Sequence, residues 1–362
     1  MLALACAIPT ESPNWEMTWN VPVPDKGALS IGVASFLPNG VTTVGTPPTS
    51  FSATVGSPPA ISRTLGSDCG SCVPINGTNA PKPAFSSAPP ATSVNLAASA
   101  SLTSATLAAG SQVVFTINNG FNFDPIRPQA GSNVTNTGNM TLTVNNGAAT
   151  LGTLTILGTT SAITASAIST FTLPLAGTIT GSQPLSVTMT LTSPAGSNVT
   201  INTSQVISIS AVPTINISSA TVSIGAQAVN APADTVDMSN IDSTIIKRVK
   251  DTSATQGTMF LTITNPFTVG GAMNVNFSSA PGSPAIVPIT KSVTLTAAAN
   301  GTTPNVSSVT IPFSGTELRH LLGHKLLIAF GGQTNAGSLT VTPGQLVSVS
   351  SRLQLILNLK AQ

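Results

Sequence analysis

Few residues in this chain could do chemistry. Cys69 and Cys72 form a Cys-Gly-Ser-Cys unit. That spacing can serve a redox pair, half a zinc site or a tight disulfide. A redox pair needs the first cysteine at a helix start within a βαβ setting, yet Gly, Ser and Pro flank the unit on both sides. A zinc site needs two more ligands, and only His320 and His324 are on offer, far along the chain. A local disulfide formed in an oxidising compartment is the plainest reading.

His320 and His324 stand four residues apart in Glu317-Leu-Arg-His-Leu-Leu-Gly-His. One helical turn would put both on one face, with Glu317 beside them, and such a trio could hold a metal weakly. Gly323 works against a helix that runs through both. The competing reading is a short crossover helix that buries Leu318, Leu321 and Leu322. Nothing brings a particular Ser and Asp to these histidines, so no hydrolytic triad can be argued. Asp234, Asp237 and Asp242 precede Lys247, Arg248 and Lys250, but their spacing is not that of a calcium loop. They read as a solvated segment. No glycine-rich phosphate loop opens a helix. The expectation is a protein that is not an enzyme, with no cofactor and no metal.

Those sparse groups must be carried by the rest of the 362 residues, which are 41% hydrophobic. Mean hydropathy is +0.35, so the chain can build real cores. Charged residues make up only 6% and tyrosine is absent. An ordinary globular protein is about 25% charged. A polar but nearly uncharged surface favours association, and suits an exported protein or a subunit of an assembly. The net charge of +2 comes with no basic stripe, so nucleic acid is not an expected partner. No window is long and apolar enough for a membrane-spanning helix. At 4% aromatics, the girdles of an outer-membrane barrel are missing too.

The elements read as strands. Met259 to Thr264 alternates, Asn265-Pro266 stops it, Gly270-Gly271 turns the chain, and Met273, Val275 and Phe277 mark a return strand. This predicts a hairpin. Phe115-Thr-Ile-Asn-Asn-Gly-Phe121 repeats the phrase of Leu261-Thr-Ile-Thr-Asn-Pro-Phe267. Val199 to Ser210 likewise matches Leu339 to Ser350, with Thr200/Thr340, Gln205/Gln345, Ser208/Ser348 and Ser210/Ser350 identical. Two matches in the same order predict a tandem duplication, with a junction near Pro213 to Asn230. Short strands with close turn signals predict antiparallel β-sandwiches. Trp15, Met17, Trp19 and Val21 form an earlier half-buried strand, read as packing on the first domain; the alternative is a strand whose tryptophans meet a ligand or a partner. The last strand alternates Leu353, Leu355, Leu357 and Leu359. At a sheet edge it would be a site for strand addition to another subunit.

Two resemblances follow. Met1 to Cys6, Met-Leu-Ala-Leu-Ala-Cys, resembles the tail of a bacterial lipoprotein signal, with Ala3 where the motif usually has Leu and without a charged start. It implies lipidation of Cys6 and a membrane attachment through that lipid alone. Leu261 to Phe267, Val309 to Phe313 and the crossover Ser314 to Gly323 resemble the Ig-like domain of late-embryogenesis-abundant and water-stress (WHy-type) proteins. That resemblance covers roughly residues 230–360 and implies a structural or binding sandwich without catalytic residues.

The expected architecture is all-β: a tether and strand over 1–26, a loop-rich small β region with the Cys pair over 27–92, one Ig-like sandwich over 93–215 and another over 216–362. The expected function is an exported structural or adhesive protein at the cell surface or outside the cell. It would self-associate into a filament, sheath or surface layer. The alternative is a monomeric, lipid-anchored module that binds a surface glycan or protein.

Overall fold

The computed structural model describes residues 14–22, 29–97, 100–128, 136–231, 233–249, 255–301 and 303–360. Cys6 and the tether around it lie outside the described residues. The chain is all-β. Its strands begin with β1 (Asn14–Pro22), β2 (Leu29–Gly32), β3 (Val41–Val44), β4 (Ser50–Ala53), β5 (Ile61–Thr64), β6 (Asn79–Pro81), β7 (Phe85–Ser87) and β8 (Thr92–Val94). The next group is β9 (Leu102–Leu107), β10 (Gln112–Asn119), β11 (Asn139–Asn146), β12 (Ala149–Leu157), β13 (Ala167–Pro174), β14 (Thr178–Thr180), β15 (Leu185–Ser193), β16 (Asn198–Thr200) and β17 (Val206–Ile224). The last group is β18 (Ala228–Asn230), β19 (Asp234–Asp237), β20 (Thr255–Asn265), β21 (Gly271–Ser279), β22 (Ile289–Leu295), β23 (Asn305–Ser314), β24 (Lys325–Thr334), β25 (Gly337–Val341) and β26 (Leu346–Lys360). Among the described residues the helical segments are three short α-helices, α1 (Leu65–Asp68), α2 (Ser243–Arg248) and α3 (Gly315–Leu321), and two 3-10 turns at Val33–Phe36 and Gly70–Ile75.

The strands fall into two compact units. One spans Phe36–Ser223 with Thr340–Gly344. Its larger sheet runs β13-β10-β17-β4-β3, with β5 and β9 also against β17; its facing sheet runs β12-β11-β15-β7, with β8 against β15. Val113 and Ala211 of the larger sheet line the same small internal space as Val144 and Val187 of the other. The other unit uses residues up to Ser35, Ile224–Leu339 and the stretch from Gln345 on. Its sheets run β1-β26-β20-β23, with β2 on β26, and β18-β24-β21-β22, with β19 on β24. The rings of Phe277 and Phe313 meet edge to face at 5.3 Å and join its two sheets.

The duplication is visible strand by strand. β13-β10-β17 corresponds to β23-β20-β26, and β12-β11-β15 to β22-β21-β24. Registers agree as well: Ile117 faces Ile209 in one unit, and Ile263 faces Val349 in the other. Those are the positions that the two sequence matches align.

Four expectations change. The hairpin is an arch: β20 pairs with β23 and β26, whereas β21 pairs with β22 and β24 in the opposite sheet. Asn265 explains why. It sits in the buried row of β20 with Met259, Leu261 and Ile263, at 1% exposure. Its Oδ1 accepts from the Phe267 N–H (3.0 Å), and its Nδ2 donates to the carbonyls of Val269 (3.0 Å) and Thr296 (2.9 Å). The amide thus holds the chain while it crosses from one sheet to the other, with Phe267 buried beneath. Asn119 does the same in the first unit, accepting from Phe121 and donating to Phe123, Ile163 and Thr164.

Second, the loop-rich region over 27–92 is divided. From Phe36 on it adds β3 to β8 to the first sandwich, while β2 pairs with β26 in the second, as does β1 from the preceding 1–26 segment. Third, the change of unit falls at Ser223/Ile224, inside the expected stretch Pro213 to Asn230 but later than the bound at 215/216, because β17 runs unbroken through Pro213. Val206–Ile209 pair with β5 and Ile215–Ile217 with β4, so Pro213 falls in the gap between those partners, where a missing N–H costs no ladder bond. Fourth, β26 is for the most part an inner strand. Over Ser348–Leu355 it lies between β20 and the pair β1/β2, with Leu353 and Leu355 buried, whereas Ile356–Lys360, with Leu357 and Leu359, ladders among the described residues with β1 alone. Four alternating leucines fit an inner strand as well as an edge, since periodicity reports the buried face and not the neighbours. Leu357 and Leu359 face Met17 and Trp15 in the ladder, and Trp19 faces Leu355.

Candidate functional site

Cys69 and Cys72 are joined as a disulfide with Cα atoms 5.2 Å apart, both buried. Cys69 closes α1 and also stands at the head of the 3-10 turn Gly70–Ile75, with its sulfur tied into the disulfide. Asp68 beside it accepts two bonds from Arg63, at 2.9 and 2.8 Å, and fixes the loop to β5.

The metal trio does not assemble. Glu317 closes a capping box with Ser314 at the start of α3 and pairs with Lys291 at 2.6 Å. Burial pushes its carboxyl up, but the Lys291 ammonium and the Ser314 N–H outweigh that and hold it below the usual carboxylate range. The helix stops at Leu321 and Gly323 takes a positive φ of 77°. His324 therefore leaves the helix, with Nδ1 3.0 Å from the Leu322 carbonyl. Among the described residues no three His, Cys, Asp or Glu side chains converge as a metal site. Asp242 caps α2 through Thr244, and Asp237 accepts from Ser239; hydrogen bonds lower both carboxyls. No helix among the described residues is long and apolar enough to cross a membrane.

Two features were not foreseen. The first is a pair of matched sheet edges. Among the described residues, β13 ladders only with β10 and β23 only with β20. Neither carries a charged residue. Aligned from Ala167 and Asn305 they share Ser169/Ser307, Thr172/Thr310 and Pro174/Pro312, a match that could have been found in the sequence. Ile168 (67%) and Val306 (65%) are among the most exposed large aliphatics, and they occupy the same register, opposite Asn118 and Thr264. Between β22 and β23 a groove of about 520 Å³ opens along Ser307 to Val309.

The second feature is a buried polar cluster in the first sandwich. Lys82 is 1% exposed. Its Nζ donates to Ser193 Oγ at 2.9 Å and lies 5.2 Å from the Phe123 ring centre. Asp124 accepts from the N–H groups of Ile126 (2.9 Å) and Ile163 (3.1 Å), with Arg127 Nε at 4.0 Å. A cavity of about 240 Å³ beside it is lined by Asn122, Phe123, Asp124, Arg127 and Asn198. Burial raises the Asp124 carboxyl despite those donors, and lowers the Lys82 amine to about 8 against the pull of Asp124.

The Lys82 shift sets a sign. Between pH 8 and 10.5 the unfolded chain holds the proton that the folded chain has released, so stability rises with pH across that window. Urea unfolding of this unit should gain about 2 kcal/mol from pH 7.5 to 10, and Lys82→Met should flatten the rise. An unchanged slope in the variant would place the titration elsewhere.

No protein-family model and no curated protein matches the chain. Among solved structures, a protein of Parabacteroides distasonis inferred to be secreted is similar at 9% identity and a TM-score of 0.31. The match covers 94% of this chain and 99% of that one. A likeness at that level carries no argument about function.

Proposed function

We propose that this is an exported, non-catalytic structural or adhesive protein of the cell surface or extracellular space, built of tandem Ig-like domains that self-associate. The observation that carries this reading is the pair of uncharged strands β13 and β23, each with one edge left unpaired among the described residues. Monomeric β-proteins blunt such edges with lysines, bulges or covering loops. A surface with 6% charged residues does little to keep copies apart. A buried disulfide suits an oxidising compartment, and acylation at Cys6 would tether the assembly. Light scattering followed by negative-stain imaging of natively produced protein should show regular oligomers or polymers. A monomer at all concentrations would sink this reading.

The cavity at Asp124 and Arg127 supports a second reading, a module that binds a glycan or a protein segment. Arg127→Ala would then abolish retention on a glycan array while leaving assembly intact.

A further inference from the structure

We infer that β13 and β23 are the interfaces of that self-association, pairing antiparallel with an edge strand of a second copy in a register centred on Thr170 and Ser308. The inference rests on the self-association proposed above and names its contact.

The prolines fix which residues face outward. Within a ladder, Pro174 and Pro312 fit only where the missing N–H would point away from β10 and β20. Backbone direction alternates along a strand. Ile168, Thr170 and Thr172 therefore turn their N–H and C=O outward, as do Val306, Ser308 and Thr310. These six side chains are exposed, as are the two prolines. An antiparallel partner that sets Thr170 opposite Ser308 sets Ile168 opposite Thr310 and Thr172 opposite Val306. Each of these couples exchanges two hydrogen bonds, and each exposed aliphatic gains a threonine neighbour. The prolines fall outside the paired stretch and cap it. A charged or foreign strand is a poorer occupant: neither edge offers a charge to meet one, while the chain itself supplies two neutral strands of matching pattern, 8 and 10 residues long. The same centre serves two β13 edges, two β23 edges or one of each, so the match at Thr170 and Ser308 does not depend on which edges meet.

Disulfide trapping tests this. Thr170→Cys and Ser308→Cys are made singly in the full chain carrying Cys6→Ser, with Thr262→Cys on the exposed face of inner strand β20 as control. Each is oxidised mildly, alone and as an equal mixture. A covalent dimer in either single variant or in the mixture, absent from the control, is the expected result. A product found only in the mixture marks head-to-tail growth, and one found in single variants marks two-fold contacts. Thr170→Lys and Ser308→Lys together should return the protein to monomer. Assembly with no dimer above control overturns this inference and leaves self-association standing; a monomeric parent protein overturns both.

Discussion

Asn265→Ala should lower the stability of the second unit by about 3–5 kcal/mol, and Asn119→Ala should do the same to the first. Each amide is buried, and each serves one backbone N–H and at least two backbone carbonyls, all in buried bonds except the part-buried ones to Thr296 and Thr164. An alanine leaves all of them unmet, at about 1–3 kcal/mol per group before relaxation. Asn265→Asp tests the detail. The new carboxylate would still accept from Phe267 but could not donate to Val269 or Thr296, and it would bury a charge, so this change should be no milder than alanine. Urea unfolding followed with a probe in each unit would show one transition shifted and the other unmoved. Equal shifts in both units would mean that the amide supports more than its own sandwich.

Gly138→Ala and Gly271→Ala form the second large pair. Gly138 immediately precedes β11 and Gly271 begins β21, each two residues before a buried methionine, just where each arch lands. A Cβ on Gly138 would fall on the Thr192 carbonyl oxygen, and one on Gly271 on the Gln333 carbonyl oxygen. Both obstacles are strand backbone and cannot swing aside, so each change should cost more than about 3 kcal/mol. Gly225→Ala is the control. Nothing lies within 4 Å of its new methyl, and it should stay within about 0.5 kcal/mol of the parent. Destabilisation of the control to the same degree would undercut the steric argument.

Particular residues show what a sequence can and cannot disclose here. The duplication was legible because Asn119 and Phe121 recur as Asn265 and Phe267, and because the buried amide tolerates no substitute of another shape. The arch was not. A strand, a turn and a second strand look alike whether the chain folds back in one sheet or crosses to another. The cue was Asn265 itself, a polar residue in phase with Met259, Leu261 and Ile263. The Lys82 cluster was hidden for a different reason. Lys82 lies in a proline-rich run, and Asp124 and Ser193 reach it from arches and strands far along the chain. The edge status of β13 and β23, like the inner status of β26, is a property of neighbours that no local period encodes.

The two arches differ in one respect that bears on how the protein can vary. Residues 120–137 separate Asn119 from Gly138, whereas only residues 266–270 separate Asn265 from Gly271. The longer arch brings Asp124 and Arg127, and with them the whole polar cluster. Loop closure makes such an extension cheap, about 1 kcal/mol for this difference in length. With an asparagine clasp at one end and a glycine landing at the other, the core does not register what is strung between them. The sandwich therefore works as a socket. New loops can be spliced into the short arch without renegotiating the strands, and the longer arch of the first unit has the length of such an extension.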